Sequence, residues 1–83
     1  MEVAAQVSLY PLRQPGLSSQ IERALAIFRD HQLQVTPGSM STVVSGDYDS
    51  LFEALKQAFQ VAAEQGEIVM VVTLSNACPV PGS

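Results

Sequence analysis

A single cysteine, Cys78, stands in a chain of 83 residues, so no internal disulfide can form and no pair of thiolates can hold a metal. Histidine is equally scarce, with His31 alone. Lysine and arginine number four together against eight acidic residues, giving a net charge of −4. Such a surface matches nucleic acid phosphates poorly, because their binding rests on Lys and Arg. A glycine-rich phosphate cradle, a metal-ligand spacing and a Ser-His-Asp set are all missing. The segment from Met1 has neither the basic start nor the long apolar core of a secretory leader. No apolar run reaches the ~20 residues of a membrane helix. These absences lead us to expect a soluble, cytoplasmic protein that neither binds nucleic acid nor inserts into a membrane. Charge is also short overall: charged residues make up 14 % and hydrophobic ones 47 %, against roughly a quarter charged in an ordinary domain. The length suits one small domain over 1–83, which buries only about 60 % of its unfolded surface. Association would help such a chain.

What is present is organised around 68–78, Ile-Val-Met-Val-Val-Thr-Leu-Ser-Asn-Ala-Cys. This β-branched run begins after Gly66 and ends at Pro79, a length that suits one strand. It does not alternate as a half-solvated strand would. Ile68, Met70, Val72 and Leu74 share one face, while Val69 and Val71 occupy the other. A strand apolar on both sides needs cover on both sides. One layer of helices can supply only one, so the far face calls for a second subunit or a ligand.

The remaining elements follow in order. Residues 2–12 read as a strand with Val3, Ala5, Val7 and Leu9 on one side and Gln6, Ser8 and Tyr10 on the other. Arg13-Gln14-Pro15-Gly16 is a loop. A helix starts at Ser18 or Ser19, with Ser19 and Glu22 spaced as a capping box, Leu17 as its staple, and an apolar stripe of Ile21, Ala24, Leu25 and Phe28. It fades near His31. A short strand over 33–36 leads into Thr36-Pro37-Gly38-Ser39, spaced for a type II turn, and a strand over 40–45 returns antiparallel. Gly46 marks a change of direction. Asp47, Asp49 or Ser50 can cap a second helix, with Ser50 and Glu53 as a capping box, a stripe of Leu51, Leu55, Ala58, Phe59 and Ala62, and Gly66 as its left-handed cap. The tail 80–83 is expected to be loose. The order strand-helix-strand-strand-helix-strand is the split pattern of an α+β ferredoxin-like sandwich. Right-handed crossovers then put both helices on one face of a four-stranded antiparallel sheet.

Few residues here offer chemistry. His31 fits a helix C-terminus, where its ring complements the dipole. Cys78 has no basic neighbour in sequence to activate it, and an inert thiol is expected. Asp47, Asp49 and Glu53 gather at a helix start, where they complement the dipole without catalysis. No acid–base pair is visible, so an enzyme has the least support. What remains is a polar set on strands: Ser8 and Tyr10, Ser41 and Thr42, then Thr73, Ser75 and Asn76. The first and third strands are central neighbours in such a sheet and the fourth borders the first, so this set can converge. Hydroxyls and an amide beside an aromatic ring suit a flat heterocycle. Exposed strand ends with ordinary turn residues would look the same.

Four segments together carry a resemblance: Val7-Ser8-Leu9-Tyr10-Pro11, Ser41-Thr42-Val43-Val44-Ser45-Gly46, Leu51-Phe52-Glu53-Ala54-Leu55 and Ser75-Asn76-Ala77-Cys78-Pro79. In this order they resemble the YkoF-like thiamine-binding family over nearly the whole chain. The resemblance implies a ferredoxin-like domain that binds thiamine or its hydroxymethylpyrimidine part without turnover, in thiamine precursor salvage or uptake. It places Ser8, Tyr10, Ser41, Thr42, Ser75 and Asn76 near the ligand, and implies no cofactor and no metal. Relatives assemble as homo-oligomers or tandem repeats. This chain holds one copy, so the expected partner is a second subunit, in a dimer or tetramer joined through the open sheet face. The alternative is a structural or regulatory oligomeric module with no vitamin bound.

Overall fold

The computed structural model describes residues 1–13, 17–38 and 41–77, and all their side chains except those of 17 and 18. The elements are β1 (Glu2–Pro11), α1 (Leu17–Asp30), β2 (Gln34–Pro37), β3 (Thr42–Asp47), α2 (Tyr48–Ala63) and β4 (Ile68–Ser75). The strands form one antiparallel sheet in the order β2-β3-β1-β4, with both helices on one face, as in a ferredoxin-like sandwich.

Register decides which side chains meet the helices. Directly paired residues share a face, and Val7 pairs with Thr42 on β3 and Val72 on β4. The helix face therefore holds Val3, Ala5, Val7 and Leu9, then Thr42, Val44 and Gly46, then Ile68, Met70, Val72 and Leu74. α1 adds Ala24, Ile27 and Phe28, and α2 adds Leu51, Ala54, Leu55 and Ala58. Phe28, Leu51 and Val44 lie at the centre, 1 %, 0 % and 0 % exposed.

Several local expectations are corrected. Helix α1 begins at Leu17, so Ser19 lies inside its first turn and cannot cap it. The capping position falls outside the described residues, as do the side chains of Leu17 and Ser18. Pro37 belongs to β2, which is an edge strand and so loses no inner ladder bond to proline. The Gly38 N–H donates to the Ser41 carbonyl at 2.9 Å, so pairing runs on past Pro37 where a turn was expected, and residues 39 and 40 lie outside the described residues. β3 accordingly starts at Thr42. Phe59, expected in the core stripe, is 43 % exposed, and Ala54 takes the inward position instead. Cys78 and the tail also lie outside the described residues.

Gly46 does not turn the chain. It sits within β3 opposite Val3 at φ +153, and the strand runs on to Asp47. Gly66 has φ +147, but the α2 cap is Glu64, and Gly66 turns the chain toward β4.

Of the three candidate caps for α2, Asp47 serves: its Oδ2 accepts from the Ser50 N–H at 3.1 Å. Ser50 is thereby the third helical residue and cannot open a capping box. Asp47 also stands directly across from Glu2, where like charges repel. Asp47→Ala should thus destabilise the protein by about 0.5–2 kcal/mol, whereas Asp47→Asn keeps the cap, sheds the repulsion and should cost nothing. Urea melts of the two variants check this; equal losses would remove the cap from the account.

Candidate functional site

The polar strand residues do not gather in one place within a single chain. Both β3 and β4 run antiparallel to β1, so the start of β3 lies beside the end of β1, and the end of β4 lies beside its start. Thr42 pairs with Val7 and Ser75 with Ala4. Those levels are three residues, about 10 Å, apart along β1. The expected convergence therefore splits into two groups, with Tyr10 apart from both.

The first group is at the α1 side. Val7 and Leu9 point up from β1, and Ile21, Ala24, Leu25 and Phe28 come down from α1. Gly38, Ser41 and Thr42 close the end at the β2–β3 hairpin. Together they enclose a pocket of about 90 Å³. Helix periodicity explains the α1 wall, because residues 21, 24, 25 and 28 fall on one stripe. Thr42 shares the helix face with Val7, so its hydroxyl joins this layer. Ser8 also borders the pocket, but the alternation of β1 sends its side chain to the opposite face with Val71. Ser41 and Thr42 are half-buried. Among the described residues, ten line the pocket and none of them is ionisable. The pocket thus offers apolar walls and hydroxyl groups that both donate and accept. Its size fits one ring rather than a drug-sized ligand, which fills some 300–1,000 Å³.

The second group lies at the other end of the sheet. Met1, Val3, Tyr48, Leu74, Ser75 and Asn76 line an open depression of about 340 Å³. The Ser75 hydroxyl accepts from the Ala77 N–H at 3.0 Å. The Tyr48 ring meets Phe52 edge-on, centroids 5.0 Å apart. The Tyr48 N–H donates to the Met1 carbonyl at 2.9 Å and joins the start of α2 to the start of β1.

Tyr10 projects from the face opposite the helices, paired with Val69. Tyr10, Val69 and Val71 are 50 %, 43 % and 50 % exposed. The bare apolar face expected from β4 is present in the single chain. His31 follows the last residue of α1, and its Nε2 lies 2.9 Å from the Gln57 Oε1 of α2. Among the described residues, no group of three or more His, Cys, Asp or Glu comes together, and no helix is long and apolar enough to cross a membrane.

Reading α1 as core alone missed the pocket wall. Ile21, Leu25 and Phe28 were visible as a stripe, but nothing in their spacing shows that the sheet leaves a gap beneath them. The exposed ring of Tyr48 was likewise missed, since its place follows from how α2 leaves β3.

Comparison with known proteins agrees with this architecture. The sequence pattern of the YKOF-related family matches residues 2–81. A UPF0045 protein of Methanocaldococcus jannaschii is 34 % identical over 58 residues, which are 69 % of this chain and 58 % of that protein. The chain thus matches little more than half the length of this curated relative. The crystal structure of the same archaeal protein superposes with a TM-score of 0.84 at 26 % identity, covering 93 % of this chain and 81 % of that one. A Thermotoga maritima protein provisionally assigned to thiamine biosynthesis or salvage superposes with a TM-score of 0.78 at 17 % identity, covering 90 % and 83 %. At that identity the likeness concerns the fold.

Proposed function

This chain belongs to the YKOF-related family, and we propose that it is a non-catalytic binding protein for thiamine or its hydroxymethylpyrimidine part, in precursor salvage or uptake. The observation that carries this reading is the pocket between α1 and the sheet: apolar walls from Ile21, Leu25 and Phe28, with the Ser41 and Thr42 residues at one end. An aminopyrimidine has apolar faces and an edge with both acceptors and a donor, and hydroxyls can answer both kinds. A volume of about 90 Å³ takes that ring and leaves the rest of a larger ligand outside. The provisional assignment of the Thermotoga protein lends the same direction weak support.

The lack of ionisable groups among the described lining residues supports binding without turnover. It also argues against phosphate esters, which want an Arg or Lys clamp. A cationic thiazolium outside the pocket meets an acidic chain of net charge −4. The open sheet face, with Val69 and Val71 exposed, suits a second subunit. A purely structural module would need the face but not a pocket with hydroxyls.

Calorimetric titration with hydroxymethylpyrimidine, thiamine and thiamine diphosphate tests the reading. The unphosphorylated ligands should bind more tightly than the diphosphate. Ser41→Ala and Thr42→Val should each weaken them by about 0.5–1.5 kcal/mol per lost hydrogen bond. Tightest binding of the diphosphate, or affinities untouched by both substitutions, would move the site elsewhere.

A further inference from the structure

Position 38 has no conformational need for its glycine. A type II turn over 36–39 would have required positive φ there, but the described glycines at positive φ are Gly46 and Gly66. Pairing runs on through Pro37, which stands opposite Thr42, and the Gly38 N–H then donates to the Ser41 carbonyl at 2.9 Å. An L side chain meets no left-handed backbone penalty at this position.

What position 38 lacks is space on one side. A Cβ there would stand 2.7 Å from the Ser41 carbonyl oxygen, well inside the 3.4 Å at which ordinary contact begins. Beyond the adjoining residues, its next described neighbour is the carbon of the same carbonyl, at 3.9 Å. The conflict is therefore with Ser41. A long side chain could rotate away from a new methyl group, whereas a carbonyl oxygen moves only with its backbone. Ser41 is tethered on its C-terminal side, because Thr42 pairs with Pro37 of β2 and with Val7 of β1.

Gly38, Ser41 and Thr42 together close one end of the pocket under α1. A shift forced on Ser41 is passed to that end. The apolar wall from Ile21, Leu25 and Phe28 belongs to α1 and has no part in the conflict. Groups that recognise a ligand must be held within about 0.5 Å of their working positions, and relief of this clash uses up that margin.

We propose that Gly38 is a positioning residue of the pocket. Its missing side chain lets Ser41 close on it, and this holds the hydroxyl end that selects a ring with a hydrogen-bonding edge over an apolar ring of the same size. The inference rests on the binding reading given above and divides the work within it. The wall of α1 grips any ring, and the hairpin end chooses among rings. Gly38 acts through Ser41 and Thr42, so its effect depends on their side chains.

The test is an NMR titration of the whole chain with two probes, hydroxymethylpyrimidine and toluene. The wild type should bind both, the pyrimidine more tightly. Gly38→Ala should weaken the pyrimidine about tenfold, as expected for one or two displaced hydrogen bonds. Toluene should lose less than about twofold, with circular dichroism unchanged. In a Ser41→Ala, Thr42→Val background the same substitution should cost the pyrimidine nothing further, because the groups it displaces are gone. Equal losses for both probes overturn the role, as does a loss that persists in that background. So does a wild type that takes the pyrimidine but not toluene. Should Gly38→Ala fail to fold, hydrogen exchange of the wild type decides. At equal saturation the pyrimidine should slow exchange of the Gly38 amide more than toluene does, and equal protection overturns the role. A wild type that binds neither probe overturns the pocket and this role with it. One that binds the pyrimidine and is indifferent to the alanine overturns the role of Gly38 and leaves the pocket standing.

Discussion

Phe28→Ala is expected to lower the unfolding free energy by about 3–5 kcal/mol. The Phe28 ring is 1 % exposed on α1 and belongs to the core cluster beneath both helices. It also walls the pocket of about 90 Å³. Truncation therefore joins a new void to an existing one, and the surrounding side chains cannot collapse into both. That is the situation in which the cavity contribution adds most to the lost transfer energy. At about 0.05–0.15 kcal/mol per residue, a chain this short has little stability to lose, so the variant should be close to unfolding at 37 °C. Urea denaturation should show a lower midpoint with the slope preserved. Phe28→Leu keeps most of the volume and should lose far less. If the alanine variant lost under ~1.5 kcal/mol, the ring would not be packed as described. The same variant reads on function: a widened pocket loses the apolar wall that grips a ring, so ligand affinity should fall even at temperatures where the protein stays folded.

Gly46→Ala is the second large effect, with an expected loss of about 2–4 kcal/mol from two separable causes. One is backbone strain, because φ is +153, a conformation L side chains rarely adopt. The other is a clash: a Cβ here would stand 2.6 Å from Leu33 Cδ2. Leu33 is only 6 % exposed, so its side chain has little room to swing aside. A double-mutant cycle with Leu33→Ala separates the causes. The clash should vanish in the pair while the strain remains. Complete additivity would show that Leu33 has no part in the requirement for glycine.

Both residues illustrate how much was readable beforehand. Phe28 was visible as core because residues 21, 24, 25 and 28 repeat at helical spacing. Gly46 was visible as special, but its role was misread as a bend. A glycine before a helix start usually ends an element, and only the approach of Leu33, thirteen residues earlier, explains one that stays inside a strand. The helix starts show the same limit. Ser19-x-x-Glu22 and Ser50-x-x-Glu53 both fit a capping box, yet each serine lies inside its helix by one turn or less. A cap depends on where the chain leaves its previous element. For α2 that is the register of β3 against β1, which carries the ladder on to Asp47. Phe59 was misassigned because its position borders the apolar stripe, and stripe width alone cannot say where the sheet ends.

The candidate site divides along the same line. The hydroxyls at 41 and 42 and the polar end of β4 were legible as residue types, and the strand neighbours were correctly expected. Their separation was not, because antiparallel pairing on both sides of β1 sends the start of β3 and the end of β4 to opposite ends of the sheet.

Periodicity and composition alone determined the element order, the ferredoxin-like arrangement and the two-sided apolar character of β4, since these depend on local spacing and on the absence of charge. Only the tertiary structure decided which face each hydroxyl meets, that a gap opens under α1, and that Tyr48, Phe52 and Phe59 stay exposed on α2. Those outcomes depend on registers between strands distant in sequence, where a shift of one residue turns every side chain to the other face.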